Sequence, residues 1–353
     1  MTAIELTNAV KTYPEFTLGP INMTVEQGEF FGIFGPPSTG KTSILKLILG
    51  LLQPDEGQVV LSGRDGAGMD VAERGISMVF QNLALFPHMT GRENIIFPLK
   101  ERGASEREIA ERLDFVSEVL HVSHILHKNP AQMSGGERQR IALGRAFAAD
   151  SRAMLLDEPI AALDARLREE MRVELKRLQR ENNQTFVYVS HDAEEVMAIS
   201  DRVAVVINGK IAQIGAPDEV YSRPGSLAVA KVIGSPPMNL FAGAFDERGL
   251  FFKADLLSDG IAVEGAAPKC GEGTLGVRPE DIWLGESEGN PSFDVTVSSV
   301  EPLGSYTIIN ALLGDQILKI RAPGQVILEE GAVQRVCLDD RHLHMFDETG
   351  ERI

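Results

Sequence analysis

Residues 35–42, GPPSTGKT, restrict the possible folds of this chain more than any other segment does. They follow a short apolar run, EFFGIF (29–34), that predicts a buried strand. They precede an apolar-periodic stretch through ILKLILGLL (44–52) that predicts a helix. In that context, the spacing G-x-x-x-x-G-K-[ST] is typical of a loop that binds phosphate with its backbone amides and the N-terminus of the next helix. The segment therefore favours an α/β fold.

The first two hundred residues repeat this alternation. Short apolar runs bounded by polar residues or glycine predict strands, and longer periodic stretches predict helices. Strands are predicted at 75–80, 152–157, 185–190 and 202–208, and helices at 105–120, 136–150 and 164–182. Strands that alternate with helices favour a mainly parallel sheet.

The pattern changes after residue 235, where SPPMN (235–239) is typical of a boundary. Beyond it, short β-like runs are separated by Gly and Pro, and helical periodicity fades. We therefore predict two domains, 1–235 and 236–353, of which the second is a small all-β barrel or sandwich.

Charge and apolar content exclude several classes of protein. The net charge is −17, and the second predicted domain carries −11 of it. Neither domain has a basic stripe, so nucleic acid is not expected as a partner. The first residues do not resemble a signal peptide, and the most apolar stretch (44–52) is too short to span a bilayer. We expect a soluble, cytoplasmic chain with reduced thiols at Cys270 and Cys337.

The phosphate loop assigns specific chemistry to its side chains. Lys41 is expected to reach the β- and γ-phosphate oxygens, the Thr42 hydroxyl to ligate Mg²⁺, and Ser43 to contact the α-phosphate. The motif indicates a nucleotide without saying which protein binds it. The residues expected to contact the nucleotide along this segment are Gly35, Pro36, Pro37, Ser38, Thr39, Gly40, Lys41, Thr42 and Ser43.

The run RAMLLDE (152–158) ends in two carboxylates. Asp157 is expected to hold Mg²⁺ directly or through water. Glu158 is expected to orient and activate an attacking water. A strand that ends in Asp-Glu is common by itself, and it gains this meaning beside a phosphate loop.

The segment MSGGERQRIALGRA (133–146) resembles the LSGGQ signature of ATP-binding cassette (ABC) ATPases, the motor subunits of ABC transporters. In that family the signature lies at a helix N-terminus and contacts the γ-phosphate of ATP bound to the opposite subunit. The physical basis is backbone amides and a helix dipole that face an anion. The resemblance assigns this role to Ser134, Gly135, Gly136 and Glu137.

Other family motifs follow in order. Gln81 matches the glutamine that senses Mg²⁺ and the attacking water. His191 matches the histidine that contacts the γ-phosphate. Asp164, in AALD (161–164), matches the loop that couples two active sites, and Tyr13 matches the aromatic residue that stacks on adenine. The resemblance thus implies ATP and Mg²⁺ as ligands, with the catalytic residues Lys41, Gln81, Glu158 and His191.

Longer stretches are similar to maltose-type (sugar) importer ATPases. These stretches are residues 71–94, 190–221, 231–241, 276–282, 300–310 and 341–353. The resemblance implies a P-loop NTPase cassette, with a RecA-like core and a helical subdomain at about 86–150. It also implies a C-terminal regulatory domain with an oligonucleotide-binding-like (OB-like, TOBE- or MOP-like) β-fold.

The resemblance further implies how such a chain works. Two cassettes, two copies of this chain or this chain and a sister subunit, would close head to tail on two ATP molecules. They would drive two transmembrane permease subunits from the cytoplasmic face of the plasma membrane, through contacts that begin at 83–90. An extracytoplasmic solute-binding protein would take part indirectly, and the solute would be a sugar, a polyol or a related compound.

Other functions stay open on the sequence. The chain could be a soluble ABC ATPase that acts on DNA or ribosomes, or a regulatory protein whose β-domain binds a ligand. Similar C-terminal domains also occur in importers of anions, metal ions and polyamines. Two residues depart from the family pattern: Ser38 stands in place of Gly, and Glu137 stands in place of Gln. We expect strain at Ser38 if its φ is positive, and repulsion of ATP by Glu137 unless its carboxylate points away.

Overall fold

The computed structural model describes residues 1–149, 151–247, 250–253, 257–262, 271–287 and 290–353. The chain forms two compact units, Met1–Pro217 and Asp218–Ile353. Cys337 is buried with a free thiol, whereas Cys270 lies outside the described residues. No helix within the described ranges is long and apolar enough to cross a membrane.

The first unit contains both helices and strands. Its strands are β1 (Thr2–Tyr13), β2 (Phe16–Glu26), β3 (Phe30–Phe34), β4 (Glu56–Leu61), β5 (Arg64–Asp65), β6 (Ile76–Val79), β7 (Ala153–Asp157), β8 (Thr185–Ser190), β9 (Arg202–Ile207) and β10 (Lys210–Gly215). Its helices are α1 (Lys41–Leu49), α2 (Gly91–Glu101), α3 (Glu106–Val119), α4 (Gly135–Ala148), α5 (Ala165–Asn182) and α6 (Ala193–Ile199).

A six-stranded sheet forms the centre of this unit, in the order β10-β9-β3-β8-β7-β6. All its neighbouring strands are parallel except β10, which runs antiparallel to β9. Every residue of β3, β7 and β8 is buried, which agrees with their continuous apolar sequences, because parallel strands are covered on both faces. The predicted parallel α/β sheet is confirmed.

A second, antiparallel sheet has the order β2-β1-β4-β5. Its inward side chains share one hydrophobic core with α1 and with one face of the central sheet, including Leu18, Ile44 and Val187. This packing fixes where α1 begins, and therefore where the phosphate loop lies.

Helices α2, α3 and α4 occupy the region predicted to form a helical subdomain, and α2 and α3 both pack on α4. Side chains cap their N-termini: Thr90 caps α2, Ser105 caps α3 and Ser134 caps α4. Such caps satisfy amides that the helix itself leaves without partners.

The second unit is mainly β-structure. Its helices are α7 (Pro217–Ser222), whose first residue still belongs to the first unit, and α8 (Leu227–Val232). Its strands are β11 (Asn239–Phe245), β12 (Leu250–Lys253), β13 (Leu257–Ala262), β14 (Gly271–Val277), β15 (Ile282–Leu284), β16 (Ser292–Pro302), β17 (Tyr306–Leu313), β18 (Gln316–Pro323), β19 (Val333–Leu338) and β20 (Leu343–Asp347). Two antiparallel sheets, β13-β12-β11-β14-β20 and β15-β19-β16-β17-β18, share one apolar core. The prediction of a β-rich C-terminal region is confirmed.

Along the chain, the boundary between the two compact units falls between residues 217 and 218. Residues 218–235 therefore belong to the same unit as the β-structure that follows them. The Arg278 side chain, 2% exposed, donates to the carbonyls of Tyr221 (2.6 Å) and Ile233 (2.6 Å), and its guanidinium stacks on the Tyr221 ring at 3.9 Å. These contacts tie α7 and α8 to the sheets. Our division at 235/236, drawn from the change in sequence pattern, stays a prediction.

Arg278→Ala should destabilise the second unit. Two buried carbonyls lose their donor and the Tyr221 ring loses its stacked cation, so we expect the free energy of unfolding to fall by about 3 kcal/mol. The measurement is urea unfolding followed by fluorescence of Trp283, the chain's one tryptophan. The control Arg335→Ala removes two exposed ion pairs and one long hydrogen bond to the Ser292 hydroxyl (3.3 Å), and it should cost about 1 kcal/mol or less. Equal losses in the two variants would contradict the role assigned to Arg278.

Candidate nucleotide-binding site

Four neighbouring parallel strands end at one edge of the central sheet and bring the candidate residues together. The phosphate loop follows β3, His191 follows β8, and Asp157 ends β7 with Glu158 next to it. Gln81 lies two residues beyond β6. Ligands of open parallel sheets bind outside the carboxyl ends of the strands, and this edge therefore forms the candidate site.

The phosphate loop closes around its own lysine. The Lys41 ammonium donates to the carbonyls of Gly35 (2.7 Å) and Pro36 (2.8 Å), and burial lowers the pKa of Lys41. Gly40 precedes α1 with a φ of 94° and provides no side-chain cap. No side chain caps the first amides of α1, so these amides can donate to an anion, as they do at helix N-termini that bind phosphate.

Two positions in this loop have demanding backbone geometry. A Cβ on Gly35 would lie 2.2 Å from the carbonyl oxygen of Val206, so only glycine fits there. Ser38, which departs from the family pattern, has a φ of +62°. This left-handed conformation costs a non-glycine residue about 1–2 kcal/mol. We expected strain at Ser38 if its φ is positive, and the structure shows this positive φ.

Thr42 and Asp157 form a pair of oxygen donors beside the loop. The Thr42 hydroxyl lies 2.9 Å from one Asp157 carboxylate oxygen and 3.2 Å from the other. Burial raises the pKa of Asp157, and the hydrogen bond from Thr42 opposes that shift. A hydroxyl and a buried carboxylate are the hard oxygen ligands that Mg²⁺ prefers.

Glu158 lies between an amide and an imidazole. Its carboxylate accepts from Gln81 Nε2 at 3.3 Å and lies 2.9 Å from His191 Nδ1. Its backbone has a φ of +50° and its amide donates to the carbonyl of Val189 at 2.9 Å. A carboxylate held in place by one polar side chain on each side is suited to accept a proton from a water molecule bound beside it.

A cavity of about 480 Å³ joins these groups to an aromatic hairpin. The Tyr13 hydroxyl donates to Ser43 Oγ at 3.1 Å, and the Tyr13 and Phe16 rings stack with centroids 6.2 Å apart. Phe16 was not among our predictions. The two aromatic residues are paired across the β1–β2 turn. In the sequence, the available signal was a second aromatic residue three positions after Tyr13, with Pro14 between them. The residues that line the cavity are Tyr13, Phe16, Pro37, Ser38, Thr39, Gly40, Lys41, Thr42, Ser43, Gln81, Asp157, Glu158 and Val189.

The signature residues of this chain are not part of that cavity lining. Ser134, Gly135, Gly136 and Glu137 instead form the N-terminus of α4. The Glu137 carboxylate accepts from the Ser134 amide (2.7 Å) and from Lys128 Nζ (2.8 Å), which lowers the pKa of Glu137 to about 2. The carboxylate therefore stays ionised, and its charge is compensated within its own chain by a capping box and an ion pair.

Two residues near the AALD loop have structural contacts that bear on the site. Asp164 caps α5 by accepting from the Leu167 amide at 3.0 Å. Gln139, which is 2% exposed, donates to the carbonyl of Glu158 at 3.2 Å and accepts from the Ala162 amide at 3.1 Å. We did not predict Gln139 because it lies in the charged run ERQR. The available signal was helical spacing, since Gln139 shares one face of α4 with Ala142, Leu143 and Ala146.

Gln139→Leu should loosen the backbone at Glu158. The side chains have similar volumes, but the variant leaves one buried carbonyl and one amide without partners, which costs about 1–3 kcal/mol. We expect this loss in the free energy of unfolding of the first unit, measured by thermal unfolding. The neighbouring exposed residue provides a control: Arg138→Leu should change stability by less than about 0.5 kcal/mol. Equal stabilities of the two variants would show that the Gln139 bridge contributes nothing.

Comparisons with known proteins agree with this geometry. The ABC transporter family matches residues 18–161, and the TOBE domain family matches residues 275–346. The sn-glycerol-3-phosphate import ATP-binding protein UgpC of Escherichia coli K12 is 38% identical over 360 residues, which cover 100% of both chains. The trehalose/maltose import ATP-binding protein MalK of Thermococcus litoralis is 38% identical over 99% of this chain and 98% of its own.

Solved structures resemble the first part of the chain. The dimeric structure of MJ0796, a bacterial ABC transporter cassette, has a TM-score of 0.57 and 30% identity, and the match covers 61% of this chain and 98% of that one. A post-hydrolysis state of the same cassette, bound to ADP and Pi, gives 31% identity with the same TM-score and coverage. The resemblance read from the sequence is confirmed, and the chain belongs to the ABC transporter ATPases, with a TOBE domain in its C-terminal part.

Proposed function

We propose that this chain is the ATP-hydrolysing motor subunit of an ABC importer that takes up a sugar, a polyol or a related solute. The observation that carries the proposal is the position of Glu158, held between Gln81 and His191 at the edge where the phosphate loop opens. The full-length likeness to import ATP-binding proteins supports the importer class.

In this proposal each loop residue has a defined task. Lys41 exchanges the carbonyls of Gly35 and Pro36 for the β- and γ-phosphate oxygens of ATP. The phosphate oxygens also accept from the amides at the start of α1. Thr42, Asp157 and Gln81 would hold Mg²⁺, which supplies positive charge against the phosphate oxygens.

Hydrolysis then depends on the groups around Glu158. The carboxylate accepts the proton of the attacking water, and His191 orients both the carboxylate and the γ-phosphate. Gln81 donates to the same carboxylate and is therefore placed to respond to the water and the metal ion. Catalysis by these residues consists of positioning and charge stabilisation, as phosphoryl transfer requires.

We infer that two cassettes act together. The signature residues Ser134–Glu137 lie outside the chain's own cavity, so a second subunit must supply the signature to each bound ATP. The partner is a second copy or a sister subunit, placed head to tail, and Asp164 lies in the loop that would couple the two sites. The dimeric form of the related cassette MJ0796 supports this arrangement.

The closing motion would pass to two transmembrane permease subunits. The segment Leu83–Thr90, just beyond Gln81, is the proposed contact. In this proposal the chain lies on the cytoplasmic face of the plasma membrane, bound to the permease subunits. An extracytoplasmic solute-binding protein would act through the permease. The relative named for trehalose or maltose favours a sugar, and the relative named for glycerol-3-phosphate favours a polyol or its phosphate ester. Neither name favours an inorganic anion, a metal ion or a polyamine.

Glu158→Gln tests the proposed base. The amide keeps the shape of the carboxylate but cannot accept the proton, so we expect turnover to fall by about 10²–10⁴-fold while ATP still binds. Turnover is measured as phosphate release and binding with a fluorescent ATP analogue. The control Glu118→Gln, at an exposed position of α3, should leave both unchanged. Normal hydrolysis by Glu158→Gln would rule out Glu158 as the base.

Uptake assays test the importer and its solute. Cells that lack this chain should lose uptake of one labelled sugar or polyol and regain it when the wild-type chain, but not Glu158→Gln, is returned. Glycerol-3-phosphate, trehalose and maltose are the first solutes to measure. If uptake of only an inorganic anion, a metal ion or a polyamine depended on the chain, the proposed solute class would be wrong. If no uptake depended on it, a non-transport ABC ATPase would be favoured.

A further inference from the structure

The last turn of α4 contacts the segment that follows Gln81. Arg145 donates through one terminal nitrogen to the carbonyl of Ala84 (2.7 Å) and through the other to the carbonyl of Leu83 (3.0 Å). Its guanidinium also lies over the Phe86 ring at 5.5 Å, and burial lowers the pKa of Arg145. The planar Arg145 side chain thus contacts two carbonyl groups and one aromatic ring of this loop.

The backbone that Arg145 holds is strained. Leu83 has a φ of 62° and Ala84 a φ of 45°, so two successive non-glycine residues adopt the left-handed conformation. Each costs about 1–2 kcal/mol relative to ordinary backbone geometry. Within the loop itself, the Leu83 amide donates to the Phe80 carbonyl and the Ala84 amide to the Asn82 carbonyl, at 2.8 Å each. A turn of this kind persists only where its surroundings stabilise it.

We propose that Arg145 is a positioning residue for Gln81, which it holds opposite Glu158 by fixing the strained Leu83–Ala84 turn. The inference rests on the proposed function and deepens it, because it names a residue that orients the groups for hydrolysis without touching ATP. Helix α4 begins at the signature and has Arg145 in its last turn. One end of this helix is therefore proposed to face the ATP of the opposite subunit, while its other end contacts the Gln81 loop of its own site.

The chemistry of the contact explains why arginine is needed. A guanidinium presents its donors in a flat fork that reaches two adjacent carbonyls and stacks on an aromatic ring at the same time. A lysine ammonium in the same place keeps the charge but lacks the fork and the flat face. Arg145→Lys therefore removes the geometry of the contact and keeps its charge.

The same helix provides a matched control. Arg140 also donates to two backbone carbonyls, those of Leu120 (3.4 Å) and His121 (3.2 Å), and His121 also has a positive φ, 51°. These carbonyls follow α3 and not Gln81. Arg140 makes both contacts through one terminal nitrogen. Arg140→Lys therefore makes the same exchange of arginine for lysine at another α4 contact with two carbonyls, without touching the Gln81 loop.

Hydrogen exchange of the full-length chain tests the contact directly. In Arg145→Lys we expect the amides of 82–86 to exchange about tenfold faster than in the wild type, which corresponds to the loss of one charge-assisted hydrogen bond. In Arg140→Lys the same amides should exchange at the wild-type rate, and faster exchange should appear near 120–122. Equal exchange at 82–86 in the two variants would overturn the inference.

Kinetics then separate positioning from simple destabilisation. Arg145→Lys should lower kcat for ATP about tenfold while the Kd for ATP stays within about twofold, because Gln81 acts on hydrolysis more than on binding. Adding Ala84→Gly should restore part of kcat, since glycine adopts the left-handed conformation without strain. If the loop exchanges faster while kcat is unchanged, or if Ala84→Gly restores nothing, Arg145 does not position Gln81.

Failure of the proposed function would look different. If the wild-type chain and its assembled transporter hydrolysed no ATP, the motor proposal would fall, and the exchange comparison of Arg145→Lys with Arg140→Lys would still decide whether the fork holds the loop. If the wild type hydrolyses ATP and Arg145→Lys equals it in kcat, only the inference about Arg145 falls.

Discussion

The parallel pairing of β3 with β8, of β8 with β7, and of β7 with β6 is the constraint on which the rest of the first unit depends. It fixes four chain segments at one edge of the sheet, in the register that sets Phe34 beside Ser190 and Asp157 beside Val189. Because these strands are buried on both faces, a slip in register would disrupt the close packing of side chains on both sides of the sheet. The geometry of the site is therefore set by the energetics of the core.

Each reactive side chain at this edge is already held by another group of the chain. Lys41 pairs with loop carbonyls, Thr42 with Asp157, and Glu158 with Gln81 and His191. In the proposed function, binding of a nucleotide would exchange these side-chain hydrogen bonds for contacts with phosphate, and it would also give partners to the uncapped amides at the start of α1. Strained backbone at Ser38 and Glu158 is tolerated because the surrounding strands hold it in place.

The sequence predicted those elements whose pattern is local. Strands β3, β7 and β8 are uninterrupted apolar runs. Motif spacing predicted the phosphate loop, and Asp157 and Glu158 became candidates because their strand accompanies that loop; the roles of these residues stay predictions. Strands β1 and β2 were not predicted, because Asn8, Lys11 and the pair Gly19–Pro20 interrupt their alternation. Helix α2 was missed for a similar reason, since Pro98 lies inside it.

Contacts between distant segments were beyond sequence reasoning. Gln139 and Arg145 look like members of a solvated basic helix, and their roles appear only when α4 packs beside the Glu158 backbone and the Gln81 loop. The same holds for Glu137, whose charge suggested repulsion of a nucleotide until its pairing with Lys128 was known.

The aromatic hairpin of Tyr13 and Phe16 also has a consequence for nucleotide choice. If rings alone hold the base, its flat face is recognised and its edge is not, because stacking tolerates every base. We therefore expect the same cavity to admit GTP and CTP as well as ATP.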